Sequence, residues 1–169
     1  MNEISKYSHQ IITGISFGVT SGVITALGMI VGLHEATSSK IAVLAGIVIM
    51  AIADGLADAA GFHITEEAEF ENGKPKHTPE EVWMTTVFTF IAVCGFILTF
   101  AVPILVFQLQ TAIIADIAWG LLLLVLLNFY IARFKKENPV KLTVGHVSLA
   151  LFVIFVSYLA GNLISAWIG

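Results

Sequence analysis

Charge is what this chain has least of. Only 12% of its 169 residues are Asp, Glu, Lys or Arg, roughly half the ~25% usual in a soluble globular domain. Cysteine is nearly absent too: the single Cys94 excludes an internal disulfide. Lying in an apolar run, it reads as a small core residue, with metal ligation the remote alternative. No nucleotide loop, nucleophile–base pair or basic nucleic-acid patch occurs, which argues against an enzyme and against a nucleic-acid partner. No signal peptide is evident. The first apolar run starts near Ile11, is too long for a signal h-region and has no cleavage-type ending.

What fills the chain is hydrocarbon. Hydrophobic residues make up 57% of it, and the mean hydropathy is +0.92. Apolar runs recur at about the 20 residues that a spanning helix needs. Their continuous apolarity excludes the in–out alternation of a membrane barrel, and lipid offers backbone groups no water, so the runs must be helical. The sequence predicts an all-α integral membrane protein, one membrane domain over 1–169. Its five transmembrane helices are expected at Ile11–Leu33, Lys40–His63, Trp83–Gln108, Thr111–Phe134 and Leu142–Ile168. Residues 64–81 form a short acidic cytoplasmic extension.

The connections carry turn chemistry. Thr37, Ser38 or Ser39 caps the second helix. Thr78-Pro79-Glu80-Glu81 has the form of a helix start, with Thr as cap, Pro first and Glu three residues after the cap. Asn138-Pro139 separates the last two helices. Lys6, Lys74, Lys76, Arg133, Lys135, Lys136 and Lys141 fall on one side of a five-helix chain, and only Lys40 on the other. The positive-inside rule then places the N-terminus in the cytoplasm and the C-terminus outside.

Against this background two aspartates stand out. Asp54 and Asp58 lie one helical turn apart within Ile41–His63. A carboxylate at mid-bilayer costs about 2.5–3.5 kcal/mol even on the lenient insertion scale, and two on one helix face repel each other. Met50, Asp54 and Asp58 share a stripe at four-residue spacing. The stripe drifts onward through Gly61 or Phe62 towards Thr65, Glu66 and Glu69, and if the helix continues past the membrane it becomes an acidic extension carrying Glu66, Glu67, Glu69 and Glu71, with His63 at its start. Carboxylate oxygens suit Mn²⁺, Mg²⁺ or Ca²⁺, whereas an imidazole and a thioether shift preference towards Fe²⁺ and softer first-row ions. The glutamates would gather cations at the entrance. Carboxyls that hold protons without metal and release them to it are a basis for cation–proton exchange. The plainer alternatives are a solvated face for Glu66–Glu71, interfacial snorkelling for His63, core or lipid packing for Met50 and interfacial hydration for Asp58. Asp116 reads as a charge at the start of the fourth helix. His34 and Glu35 read as solvated, and His146 as interfacial.

Gly14, Gly18 and Gly22, followed by Gly28 and Gly32, let another helix approach the first one closely. That helix is a neighbour in the same chain or one in a second copy, where Gly14, Gly18 and Gly22 would mark a homodimer interface, and neither reading excludes the other.

The run Phe17-Gly18-x-x-x-Gly22-x-x-Thr25-x-x-Gly28-x-x-x-Gly32 resembles the first helix of the vacuolar iron transporter family, FGxNDGLVTxxGxxxG. Ala45-Gly46…Met50-Ala51-Ile52-Ala53-Asp54 is similar to that family's AG…MAxGE. Phe88 to Pro103 and Gly145…Tyr158-Leu159-Ala160-Gly161-Asn162-Leu163 fit later pieces. The resemblance implies a homodimer of five-helix subunits that moves Fe²⁺, often Mn²⁺ too, out of the cytosol in exchange for protons. The path would lie at the dimer interface, between the first two helices. The family's glutamate falls on Asp54 and its methionine on Met50. Thr20 and Ser21 replace the Asn-Asp of the first helix and would line the path. Asp58 has no counterpart and stands as a carboxylate moved to the opposing helix. Only the start of the family's larger cytoplasmic metal-binding region is matched, by Glu66, Glu67, Glu69 and Glu71.

These readings converge on a proton-coupled exporter of Fe²⁺ or Mn²⁺ with no resident cofactor. Its setting is the lipid bilayer of a cell membrane, an organelle membrane being the other option. The rival is a non-transporting membrane protein whose carboxylates stabilise or regulate an oligomer.

Overall fold

The computed structural model describes residues 7–135 and 138–168. Lys6 and Lys136, two of the cations used for orientation, lie outside them. Among the described residues, five helices are long and apolar enough to cross a membrane. They are α1 (Ser8–Thr37), α2 (Lys40–Glu67), α3 (Pro79–Thr99) continued by the short α4 (Ala101–Val106), α5 (Leu109–Lys135) and α6 (Pro139–Ile168).

Their ends follow from local chemistry. Ser39 caps α2 by accepting from the Ala42 amide at 3.3 Å. Thr78 and Glu81 form a reciprocal capping box at the start of α3, where Pro79 has no amide hydrogen to satisfy. The Asn138 side chain accepts from the Val140 amide at the start of α6. The third span is interrupted at Phe100. Pro103 lacks the N–H that would bond the Thr99 carbonyl four residues back. Between α2 and α3, Phe70–Glu71 pairs with Lys74–Pro75 in a minimal antiparallel hairpin. Asn72 and Gly73 turn it, both at positive φ (51° and 76°), the backbone that a two-residue Asn-Gly turn requires.

Helix α1 is the axis of the bundle. It packs extensively against α3 and α6, and less so against α2 and α5. The core gathers around it: Val23, Leu27 and Ile30 of α1 are fully buried with Ile47 of α2, Val93 and Ile97 of α3 and Leu124 of α5. In α2 and α6 most of the apolar surface faces outward, as expected where lipid rather than water surrounds it.

The glycines decide how close α3 and α6 come. A Cβ on Gly14 would lie 2.8 Å from the Thr85 carbonyl oxygen, and one on Gly18 would lie 2.7 Å from Ala92 Cβ and 3.0 Å from the Thr89 carbonyl. Gly22 sits over Val93 and Ile97, and Gly28 and Gly32 over Val153 and Ser157 of α6. Of the two neighbours that Gly14, Gly18 and Gly22 could admit, the chain supplies one itself, since α3 fills the groove they create.

Candidate functional site

Helices α1 and α2 run antiparallel, and their facing side chains meet in steps of four residues. Phe17 meets Phe62 edge-on, ring centroids 4.6 Å apart. Ser21 reaches the Asp58 carboxylate. The Thr25 hydroxyl lies 2.8 Å from Asp54 Oδ2. Met29 and Leu33 close over Gly46, where a Cβ would meet their side chains at 2.6–2.7 Å. Met50 lies one turn on from Gly46 along α2, packed like Met29 against the core. One seam thus stacks an aromatic pair, two hydroxyl–carboxyl pairs and a thioether level, in order from the hairpin end towards the Lys40 end.

The two acids sit near the middle of α2, fourteen and eighteen residues from Lys40 in a 28-residue helix. Both are half-buried, and they are close enough to interact electrostatically. Asp58 Oδ2 is buried with no hydrogen-bond partner among the described residues.

Thr25 faces a choice. Its hydroxyl has one hydrogen, and three acceptors lie within reach, Asp54 Oδ2 at 2.8 Å, the Ser21 carbonyl at 2.9 Å and, more distant, the Gly22 carbonyl at 3.4 Å. An ionised Asp54 takes that hydrogen. A protonated Asp54 can instead donate to Thr25, whose own hydrogen then goes to Ser21. The contact accommodates either charge state without moving the helices.

The remaining sequence candidates divide. Ser21 joins the acids. Thr20 does not, because its hydroxyl donates to the Ser16 carbonyl at 2.8 Å. Thr25 takes the position expected of Thr20. Nothing in residue type singled it out, but the four-residue step from Ser21 did contain it. Met50 packs against the core, half-buried, on the stripe of the acids. His63 is tied to α3, with its Nδ1 2.9 Å from Thr86 Oγ1 and its ring edge-on to Trp83, and 3.5 Å from Glu67 on its own helix.

The glutamates do not form one solvated stripe, because α2 ends at Glu67 and the chain turns into the hairpin. Glu67 and Glu71 are exposed. Glu69 is held by Lys76 and His77, and these cationic partners keep its carboxyl below the usual glutamate range. Glu66 points inward and is only 8% exposed.

Asp116 also departs from expectation. It lies seven residues inside α5, wholly buried, with neither carboxylate oxygen partnered among the described residues, and so it cannot serve the helix terminus. His34 and Glu35 are half-buried and paired with Gln110 and Asn162. His146 bonds the buried Asn128 at 2.5 Å. Cys94 donates to the Ala51 carbonyl at the α2–α3 contact, in keeping with a packing residue. Among the described residues, no three His, Cys, Asp or Glu side chains converge as a metal-holding group within one chain.

Compared with known proteins, the chain matches no family model and no curated protein.

Proposed function

We propose that this protein is a divalent metal cation transporter that exports Mn²⁺ or Fe²⁺ from the cytosol in exchange for protons, with the path running along the α1–α2 seam. The observation that carries this reading is the pair Asp54 and Asp58. They stand one turn apart at the middle of a helix long and apolar enough to span a membrane, facing hydroxyls, with one buried carboxylate oxygen unpartnered among the described residues. Intramembrane acids of this kind mark ion or proton pathways. Asp54 and Asp58 supply oxygen ligands and exchangeable protons. Ser21 and Thr25 orient them, and Met29 and Met50 add softer donors that favour first-row metals over Mg²⁺ or Ca²⁺. The hydroxyl of Thr25 serves both protonation states of Asp54.

The motif resemblance to the vacuolar iron transporter family supports the same substrate class. It also supports a homodimer in which the acids of two subunits converge. With the glycine groove occupied by α3, a second copy would meet the outward face of α2, where Ile49, Ile52 and Leu56 are more than half exposed. The excess of lysine and arginine at the hairpin end supports an N-terminus in the cytoplasm.

One observation favours the rival, non-transporting reading: Asp54 already has a hydrogen-bond partner within its own chain. A single experiment separates the two. Reconstituted into proteoliposomes, the wild-type chain should take up Mn²⁺ at a rate that responds to a pH gradient. Asp54→Asn and Asp58→Asn should each reduce that rate at least tenfold while remaining folded. Transport by Asp54→Asn at the wild-type rate would overturn the assignment. Absence of metal flux in the wild type, with dimers preserved in Asp54→Asn, would establish the rival.

A further inference from the structure

Positive charge is concentrated where α5 ends and α6 begins. Residues 133–141 carry Arg133, Lys135, Lys136 and Lys141 against Glu137 alone. The positive-inside rule asks only for charge there. The structure adds a cavity of about 540 Å³, lined by Asn138, Lys141, Leu142, Gly145 and His146. That volume falls within the roughly 300–1,000 Å³ of small-molecule sites. The lining residues recur at spacings of three and four, so they form one face of the first turns of α6.

Local chemistry shapes this face. A Cβ on Gly145 would meet nothing within 4 Å, so the glycine leaves space that a side chain would take up. His146 is held from behind by α5. Its Nδ1 lies 2.5 Å from Asn128 Oδ1, while Asn128 Nδ2 donates to the Leu124 carbonyl at 2.7 Å. Asn128 Oδ1 therefore accepts, and His146 Nδ1 carries the hydrogen. The other ring nitrogen, Nε2, has no partner among the described residues. It accepts from a hydroxyl when the ring is neutral and donates to an oxyanion when it is protonated. Asn138 uses its oxygen on the Val140 amide, which leaves its Nδ2 to donate. Lys141 is exposed and forms no ion pair among the described residues.

The cavity thus offers an ammonium and an amide donor, with no carboxylate among its described lining, and this selects an anion. The Asn128–His146 contact also sets the register of the antiparallel pair. Arg133, five residues beyond Asn128, comes level with Lys141, five residues before His146. Away from the charges, the face that carries Leu142 and Gly145 continues to Leu149 and Phe152, which are 49% and 63% exposed. A free anion would use only the polar end. A phospholipid uses the apolar track as well, and basic pockets at membrane helices suit anionic headgroups.

We infer that the cavity at the start of α6 binds the phosphate headgroup of an anionic phospholipid, held by Lys141, Asn138 and His146, with an acyl chain along Leu149 and Phe152. The site is separate from Asp54 and Asp58 and does not depend on the transport reading.

The test follows the thermal unfolding of the full chain in detergent micelles. Phosphatidylglycerol is added in one series, and phosphatidylcholine with the same acyl chains in the other. Phosphatidylglycerol should raise the midpoint saturably, by about 2–4 °C more than phosphatidylcholine does. Lys141→Gln removes the cation, and Gly145→Leu fills the cavity without changing charge; each should abolish the difference. Lys74→Gln removes an equal charge from the hairpin at the same end of the bundle and should keep it. Inorganic phosphate should not reproduce it. If Gly145→Leu fails to fold, Lys141→Gln and Lys74→Gln carry the test. The inference is overturned if the two lipids act alike in the wild type, or if the difference survives in either variant at the cavity. It is equally overturned if Lys74→Gln abolishes the difference, which would make it a matter of net charge, or if inorganic phosphate gives the same shift, which would make the ligand a free anion.

Discussion

Helix α1 has two working faces, and they are built on opposite principles. Towards α3 it presents Gly14, Gly18 and Gly22, and the contact is backbone against backbone with almost no side chain between. Towards α2 it presents Phe17, Ser21, Thr25 and Met29, and the contact is side chain against side chain, polar at its centre. The first face suits rigid association where no hydrophobic effect drives helices together. The second places ionisable groups where they are expensive to hold.

The sharpest way to break this comparison is to add bulk at the glycine face. Gly18→Leu puts side-chain atoms into the backbone of α3, where even a Cβ is 3.0 Å from the Thr89 carbonyl. Overpacking of this kind costs on the order of 3 kcal/mol or more. The variant should lose its cooperative thermal transition and elute as aggregate in detergent, whereas Asp54→Asn should melt within a few degrees of wild type. If Gly18→Leu retains wild-type melting, α3 does not fill the groove.

A smaller effect is expected at Thr25→Val. It removes the 2.8 Å contact with Asp54 but keeps the shape of the side chain. A hydrogen bond to a charged group contributes about 1.5–3 kcal/mol, so the half-saturating Mn²⁺ concentration should rise roughly tenfold, with folding little changed. An unaltered Mn²⁺ dependence would make the seam a packing surface like its glycine counterpart.

The smallest effect lies outside the bundle. Because Lys76 and His77 hold the Glu69 carboxyl below its usual 4.5, their contribution is fully present above that value and fades as pH falls through the lower, folded-state one. Amide exchange in the 69–76 hairpin, corrected for intrinsic rates, should therefore accelerate on acidification below about pH 4.5. Lys76→Ala should shrink this acceleration, because the folded-state value moves back towards 4.5, while leaving the α1–α2 and α1–α3 contacts unaffected. An acceleration of unchanged size in Lys76→Ala would remove Lys76 from the account.

Much of this architecture is written locally. Ser39, Thr78, Glu81 and Asn138 act within a turn of where they stand, so their capping roles are legible from residue type and spacing. The five apolar runs are legible for the same reason. Asp54 and Asp58 announce themselves because a charge in hydrocarbon is anomalous whatever surrounds it. The Asn-Gly hairpin also had a local signal in Asn72-Gly73. It was hidden because only two residues pair on each side, too few to show strand periodicity.

Long-range pairing was not legible. In a membrane helix every face is apolar, so periodicity does not say which face meets which neighbour. The glycine stripe fits a neighbour in the same chain and one in a second copy equally well. Glu66 and Glu67 are adjacent and alike, yet one is buried and the other exposed, because successive residues on a helix point about 100° apart and α3 covers only one of the two directions. Asp116 looked terminal because the apolar run begins near it, but α5 starts two residues sooner, at Leu109, and buries it.

The sequence by itself determined the solvent, the number of spans, their caps and the presence of two costly carboxylates, since each depends on composition or on neighbours within a turn. The tertiary structure decided which hydroxyls meet those carboxylates, that α3 fills the glycine groove, and that Glu66 is buried against Thr85. Those outcomes depend on the relative rotation and register of whole helices, set by packing summed over their lengths.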